Sequence, residues 1–286
     1  MKRFAMLFLF VFVTFVKAQD NPEITAKEVL NYISFLASDE MEGRFTGSEK
    51  CYQAGEFISN EYKKMGVLPL FDGEYFQKFD FVEDVELGKD NSAVLQIGEM
   101  KSMLKLGDDY TPTGFSGNAK VKAPVVFAGY GITAPKLNYD DYSNISVKNK
   151  IVVVMRYNPE SSNPHSEFDK YSSLRFKATT AQSNGALGMI IVNGHSPSEE
   201  DNLFKFRYDR AAGIEGFPVV HVKRNFIEEM FSLNNKDFAD IQNEIDSTKN
   251  PHSFDLQNCI AELNTEVNEV HKTGRNVGGL IKAPGN

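Results

Sequence analysis

The chain has 286 residues, of which 41% are hydrophobic, and this length is enough for one sizeable core or two modest ones. Its formal net charge of −8, with no stretch identified that combines clustered Lys or Arg with stacking aromatics, excludes nucleic acid as a partner. Cys51 and Cys259 form no CxxC pair, which excludes a cysteine zinc site and leaves a disulfide or two buried thiols as open interpretations.

Residues 1–18 are predicted to be a signal peptide. Two basic residues open the segment, and residues 4–16 are almost entirely apolar, which suits export and is short for a membrane span. Small residues at its end predict cleavage between Ala18 and Gln19, with a retained membrane anchor as the alternative. The cleaved chain would carry a charge of about −11. We therefore expect a secreted or periplasmic protein without membrane insertion after cleavage.

Residues 19–83 are predicted to form an N-terminal helical segment. The four residues from Thr25 have capping-box spacing and begin a helix that ends near Ser38. A second helix is predicted over residues 48–65, with Gly66 in the place of a C-terminal cap. Residues 75–81 have the pattern of a strand.

A domain junction is predicted where the sequence turns polar and glycine-dotted, between residues 83 and 110. Short apolar runs follow, and two of them are almost continuous, which is typical of strands covered on both faces. A helix between two of these strands predicts a right-handed β-α-β crossover. The predicted strands are residues 123–128, 151–155, 187–192 and 217–222, the helices are residues 171–184, 224–231 and 236–245, and the chain is β-like from residue 253.

The sequence contains no complete catalytic motif: HExxH, GxSxG and GxxxxGK[ST] are all absent. His221 lies in an apolar strand and is interpreted as a backbone-bonded histidine rather than a metal ligand. His165 and His195 are interpreted as surface residues of polar loops. The adjacent pair Asp140-Asp141 is interpreted as part of a solvated loop, with a calcium contact as the alternative.

Several strings along the chain resemble known proteins. Residues 32–44 (YISFLASDEMEGR), 66–69 and 75–79 resemble the opening of secreted di-zinc aminopeptidases, and residues 273–277 (TGRNV) resemble a later strand of that peptidase domain. Between them the sequence is similar to the protease-associated (PA) domain that such enzymes carry as an insert, although Asn149 stands where glycine is usual. The strings that carry this second resemblance are residues 126–132 (VFAGYGI), 139–142 (YDDY), 147–152 (VKNKIV) and 177–186.

The resemblance implies a mixed α/β fold. A PA domain over residues 84–269 would be flanked by incomplete pieces of a zinc-peptidase α/β domain, residues 19–83 and a re-entry strand in residues 270–286. In that family two zinc ions act on a peptide substrate, and their ligands and the general-base glutamate follow the re-entry strand. Because the sequence ends at Asn286, we expect the chain to end before them, with no catalytic or metal residue.

Two functions remain open. The chain is either the non-catalytic N-terminal half of a secreted zinc aminopeptidase or a stand-alone PA-domain module that binds a peptide or protein partner. The first is favoured, because an orphan re-entry strand would leave backbone groups unpaired. We expect the central domain to fold independently and the flanking segments to be less stable.

Overall fold

The structure, a computed structural model, describes residues 24–195 and 200–283. The predicted signal peptide and its cleavage point between Ala18 and Gln19 lie outside the described residues. The chain divides into two compact units. The central unit is Asp80–Lys272, and the flanking unit comprises the described residues before and after it, 24–79 and 273–283.

The described residues form five α-helices, fourteen strands and three short 3-10 helices. The α-helices are α1 (Ala26–Leu36), α2 (Glu49–Lys64), α3 (Leu174–Ser183), α4 (Arg224–Leu233) and α5 (Phe238–Thr248). The strands are β1 (Leu68–Pro69), β2 (Phe76–Leu87), β3 (Ser92–Ile97), β4 (Met100–Leu104), β5 (Tyr110–Pro112), β6 (Ala119–Phe127), β7 (Thr133–Ala134), β8 (Tyr139–Asp140), β9 (Ile151–Met155), β10 (Gly188–Val192), β11 (Val219–Val222), β12 (Phe254–Thr265), β13 (Val267–Val277) and β14 (Gly279–Leu280). The 3-10 helices are Asp39–Arg44, Pro135–Leu137 and Asp169–Tyr171.

The flanking unit begins with two capped helices. Thr25 accepts a hydrogen bond from the backbone N–H of Glu28 at 3.2 Å, and the Glu28 carboxylate accepts from the backbone N–H of Thr25 at 3.0 Å, so the predicted capping box is confirmed. Ser48 caps α2 through the N–H of Cys51 at 3.1 Å. No residue of α1 is buried. The rings of Tyr32 and Phe35 contact Phe57 of α2, but Leu30 and Ile33 are more than half exposed, so most of the apolar side of this helix is uncovered in the described structure.

The central unit is built on an eight-stranded mixed sheet in the order β4-β3-β12-β6-β9-β10-β11-β5. Four consecutive strands, β6, β9, β10 and β11, run parallel, and the strands on either side are antiparallel to their neighbours. Every residue of β9, β10 and β11 is buried. This agrees with the continuous apolar runs of the sequence, which are typical of parallel strands covered on both faces.

Helices cover both faces of the sheet. α4 and α5 bury Met230, Phe231 and Ile245 against one face. α3, which connects β9 to the parallel strand β10, buries Ala178 and Ala181 against the other. The predicted β-α-β crossover is therefore present, and the central unit has a core on each side of its sheet.

Two long strands, β2 and β13, pair with each other and pass from one unit to the other. The predicted junctions after residues 83 and 269 fall inside these strands rather than in loops. Half of the residues of β2 are exposed, which accounts for its many polar side chains. The polar stretch after β2 contains the antiparallel strands β3 and β4, which belong to the central sheet.

Candidate functional site

The central unit contains a cleft of about 630 Å³ on the side of the sheet that α3 covers. One wall is the segment 202–209, which has no regular secondary structure. The opposite wall is the turn 112–115 that follows β5, and Arg156 and Leu174 close the end of the cleft. The cleft has the size of a small-molecule or short-peptide site.

The segment 202–209 is held against the sheet by one buried histidine. His221 of β11 accepts a hydrogen bond at Nδ1 from the backbone N–H of Phe204 at 3.0 Å, and the two rings stack with their centroids 3.9 Å apart. Burial lowers the pKa of His221 to about 4, so the ring is neutral at neutral pH and free to accept this bond. The predicted backbone-bonded histidine is confirmed.

The far end of the segment is fixed by Arg175 of α3. Its Nε donates to Oδ2 of Asp209 at 3.0 Å and its Nη2 to Oδ1 at 2.9 Å, and Nη1 donates to the carbonyl of Ala212 at 2.7 Å. A bidentate arginine–carboxylate pair of this kind fixes both the distance between the two side chains and their relative orientation. The carboxylate of Asp209 is thereby neutralised within the cleft wall.

The remaining charge of the cleft is positive. Lys205 and Arg207 are exposed, and neither side chain makes an ion pair with any residue in the described part of the chain. The guanidinium of Arg156 lies 4.9 Å from the ring centroid of Phe204, over its face. Among the described residues, Asp209 is the one acid that lines the cleft, and it is paired with Arg175. The site is therefore cationic in a chain whose net charge is −8 and is suited to an anion.

The sequence carried a signal for this site that was missed. Residues 204–208 alternate aromatic and basic side chains, in the order Phe-Lys-Phe-Arg-Tyr. The expectation that no stretch combines basic and aromatic residues is therefore wrong. The run is short and lies in an acidic chain, which is why composition alone did not reveal it.

A second cleft, of about 570 Å³, lies beside the first and shares Gly114 with it. Its wall carries both signs of charge: Nε2 of His271 lies 3.2 Å from a carboxylate oxygen of Glu269, and Glu215 is also part of the wall. This mixed wall gives no preference for either sign of ligand.

Asp140 and Asp141 differ in environment, and the interpretation of both as solvated loop residues is wrong. Asp141 is 1% exposed and accepts hydrogen bonds from the backbone N–H of Ile132 at 2.9 Å and from the hydroxyl of Tyr139 at 2.8 Å. Asp140 is half-buried and accepts from Thr133. Burial raises the pKa of Asp141. Asp141 is the first residue after β8, and since neighbouring side chains of an extended chain point to opposite sides, only one of the pair reaches the interior.

A buried lysine accompanies this aspartate. Lys177 donates from Nζ to the carbonyl of Met155 at 2.8 Å and to that of Tyr157. Burial lowers its pKa, and the charge of Asp141 partly opposes that effect. Both side chains are closed to solvent, so we assign them a structural role rather than a catalytic one.

Within residues 24–195 and 200–283, no group of three or more His, Cys, Asp or Glu side chains could hold a metal ion. His195 lies 3.0 Å from Glu228, and His165 is exposed, as its sequence position predicts. Cys51 and Cys259 are both free thiols in the structure, and a disulfide between them stays a prediction. In the same described ranges, no helix is long and apolar enough to cross a membrane.

Comparison with known proteins identifies one domain. The family model of the PA domain matches residues 121–230, within the central unit. The chain therefore has a mixed α/β fold that contains a PA domain. No curated protein sequence matches the chain.

Solved structures similar to the chain include three peptidases. An aminopeptidase from Aneurinibacillus sp. strain AM-1 matches with a TM-score of 0.42 and 17% identity, over 92% of this chain and 49% of that one. BSAP, a zinc aminopeptidase from Bacillus subtilis, matches with a TM-score of 0.34 and 17% identity, over 92% of this chain and 48% of that one. A Peptidase M28 precursor from Shewanella amazonensis SB2B matches with a TM-score of 0.35 and 14% identity, over 88% of this chain and 52% of that one. The chain spans about half the length of these proteins.

Proposed function

We propose that this chain is the non-catalytic N-terminal half of a secreted or periplasmic zinc aminopeptidase, in which the PA domain controls the access of peptides. The observation that carries the proposal is the uncovered apolar surface of the flanking unit. Leu30 and Ile33 of α1 are 61% and 56% exposed, and Ile281 is 80% exposed. An amphipathic helix is stable in water only when another layer covers its apolar side. A peptidase sheet would supply that layer.

The described residues do not fit a di-zinc site. They contain no cluster of His, Cys, Asp or Glu with the size needed for one metal ion, so no catalytic step is assigned to this chain. Zinc and hydrolysis of N-terminal residues belong to the proposed intact enzyme. The proposed contribution of this chain is to support the peptidase sheet and to position peptides through the PA domain.

The alternative is a stand-alone PA-domain module that binds a peptide or protein partner. One observation favours it: the central unit has a buried core on both faces of its sheet and carries the cationic cleft entirely within its own residues. Such a unit can bind a ligand without any contribution from a peptidase sheet.

The nucleotide sequence downstream of the codon for Asn286 discriminates between these proposals, together with an activity assay. If it encodes histidine and acidic residues in frame, a protein extended by that sequence is expected to hydrolyse aminoacyl 4-nitroanilides with Zn²⁺. The chain by itself is expected to show no hydrolysis with or without Zn²⁺. Hydrolysis by the chain alone would contradict the non-catalytic assignment. A downstream sequence without such residues would make the binding module the leading function.

A further inference from the structure

The wall of the cationic cleft leaves backbone groups available for a ligand. From Lys205 to Tyr208 no backbone N–H or carbonyl makes a hydrogen bond to another residue in the described part of the chain. The carbonyl of Arg207 packs against Gly114 of the opposite wall, so the backbone groups of Lys205 and Phe206 are the ones open to a ligand. The segment is nonetheless held in place on both sides, by His221 at Phe204 and by Arg175 at Asp209. A fixed stretch of backbone without hydrogen-bond partners can form main-chain hydrogen bonds with an extended peptide.

The side chains of the same stretch specify the chemistry of that peptide. Lys205 and Arg207 are exposed without ion pairs to described residues, and Phe206 between them is half-buried beside the cleft. Cations that alternate with rings favour a ligand in which carboxylates alternate with apolar groups. We infer that the cleft formed by residues 202–209 and 112–115 binds an extended peptide with acidic side chains, held by Lys205 and Arg207.

A peptide fits these observations better than a nucleic acid. Sequence-independent binding to nucleic acid depends on many phosphate contacts and falls steeply with salt. Here two exposed cations and Arg156 line the cleft, and the whole chain has a net charge of −8, which repels an extended polyanion. A cleft of about 630 Å³ accommodates a few residues of a peptide. Its unpaired backbone matches the hydrogen-bonding groups of a peptide and not those of a phosphate chain.

The inference rests on the proposed function in one respect: it takes the ligand to be a peptide. It depends on residues of the central unit alone and makes no use of zinc or of a peptidase sheet. Binding and hydrolysis can be measured separately, so a failure of one leaves the other open to its own test.

The test is fluorescence anisotropy of the full chain with a labelled short peptide in which Asp or Glu alternates with Phe. A second peptide with Lys in place of every acid is the charge control. We expect the acidic peptide to bind and the lysine peptide not to bind. The double substitution Lys205→Glu with Arg207→Glu is expected to weaken the binding of the acidic peptide by at least about tenfold.

Two controls make this result specific to the cleft. Lys101→Glu with Lys136→Glu makes the same change of net charge at exposed lysines of the central unit outside the cleft, and it is expected to leave the affinity within about twofold. Circular dichroism of both double variants should match that of the unsubstituted chain, because all four side chains are exposed.

Several outcomes would overturn the inference. These are no binding of the acidic peptide, equal binding of the lysine peptide, or equal weakening by the two double variants. A single-stranded oligonucleotide that binds more tightly than the peptide, and loses affinity in the Lys205→Glu and Arg207→Glu variant, would make the site one for nucleic acid. Binding of the acidic peptide that only this variant loses would support it.

Discussion

The carbonyl oxygen of Arg207 lies against Gly114 so closely that a Cβ on residue 114 would stand 1.9 Å from it. No real side chain tolerates that distance. The turn after β5 and the segment 202–209 can therefore come this close only because residue 114 has no side chain. These two stretches are the opposite walls of the cationic cleft. Its width is therefore set by a glycine, since any larger residue would push Arg207 outward.

Gly114→Ala is expected to displace the segment 202–209 and to destabilise the central unit by about 1–3 kcal/mol, because backbone rather than a flexible side chain has to move. Urea denaturation monitored by circular dichroism measures this loss. Gly213→Ala is the matched control, since its added Cβ would lie 3.2 Å from the carbonyl oxygen of Ser116, a distance that a small shift relieves. Equal stability of the two variants would contradict the assigned role of Gly114.

Lys177→Met is expected to destabilise the protein by about 2–4 kcal/mol, because it leaves two buried carbonyls without their donor and removes the positive charge that acts on the buried carboxyl of Asp141. The difference in free energy of unfolding from urea titrations measures the effect. Lys170→Met, at an exposed lysine, is expected to change it by no more than about 0.5 kcal/mol. Adding Asp141→Asn to Lys177→Met should restore part of the loss, and a further loss in the double variant would exclude a favourable electrostatic interaction between the two side chains.

The stability of the chain should depend on pH through His221. Its pKa falls from the ordinary 6.5 to about 4 on folding, so the folded state disfavours the protonated ring. The stability from this group is fully present above pH 6.5 and is lost as the pH falls toward 4. His221→Asn keeps an acceptor for the N–H of Phe204 but does not titrate in this range.

The difference in free energy of unfolding between the unsubstituted chain and His221→Asn should shrink by about 2 kcal/mol from pH 7 to pH 4.5. The charged groups around the ring, Asp201, Arg156 and Lys223, are present in both proteins and largely cancel in the difference. A difference that stays constant over this pH range would show that His221 is protonated as readily in the folded protein as in the unfolded one.

The regular elements could be predicted because their signals are local. The capping box at Thr25 and the cap at Ser48 lie within a few residues of the helices that they begin. The five residues Ile151–Met155 are all apolar, and the structure places them as a central parallel strand. Apolar periodicity and capping depend on neighbours in sequence, so one sequence is enough to read them.

The burial of polar groups could not be predicted in the same way. Asp141 is buried because Tyr139 and Ile132 supply its donors, and Lys177 because two carbonyls accept from it. The sequence shows charged residues in both cases, which are usually exposed. The cleft depends on contacts of similar range, since Phe204 and His221 lie 17 positions apart in the sequence. Only the folded structure brings these partners together.

Limited proteolysis of the intact chain is expected to remove residues of the flanking unit first and to leave a resistant product close to Asp80–Lys272. In the flanking unit α1 buries none of its residues, and Leu30 and Ile33 are more than half exposed. The central unit buries strands β9, β10 and β11 completely. Cleavage follows local opening, which is easiest where few apolar contacts hold the backbone.

Mass spectrometry of the resistant product gives its first and last residues, which are compared with the expected Asp80 and Lys272. Leu30→Lys with Ile33→Lys supplies a further comparison within the flanking unit. If the apolar side of α1 is uncovered in solution as it is in the structure, the double variant should be cut at the same rate and be no less soluble, because no packing is lost. With a protease that does not cut at lysine, faster cleavage in the variant would show that this surface is packed in solution. Early cuts between β9 and β11 would contradict the independent stability of the central unit.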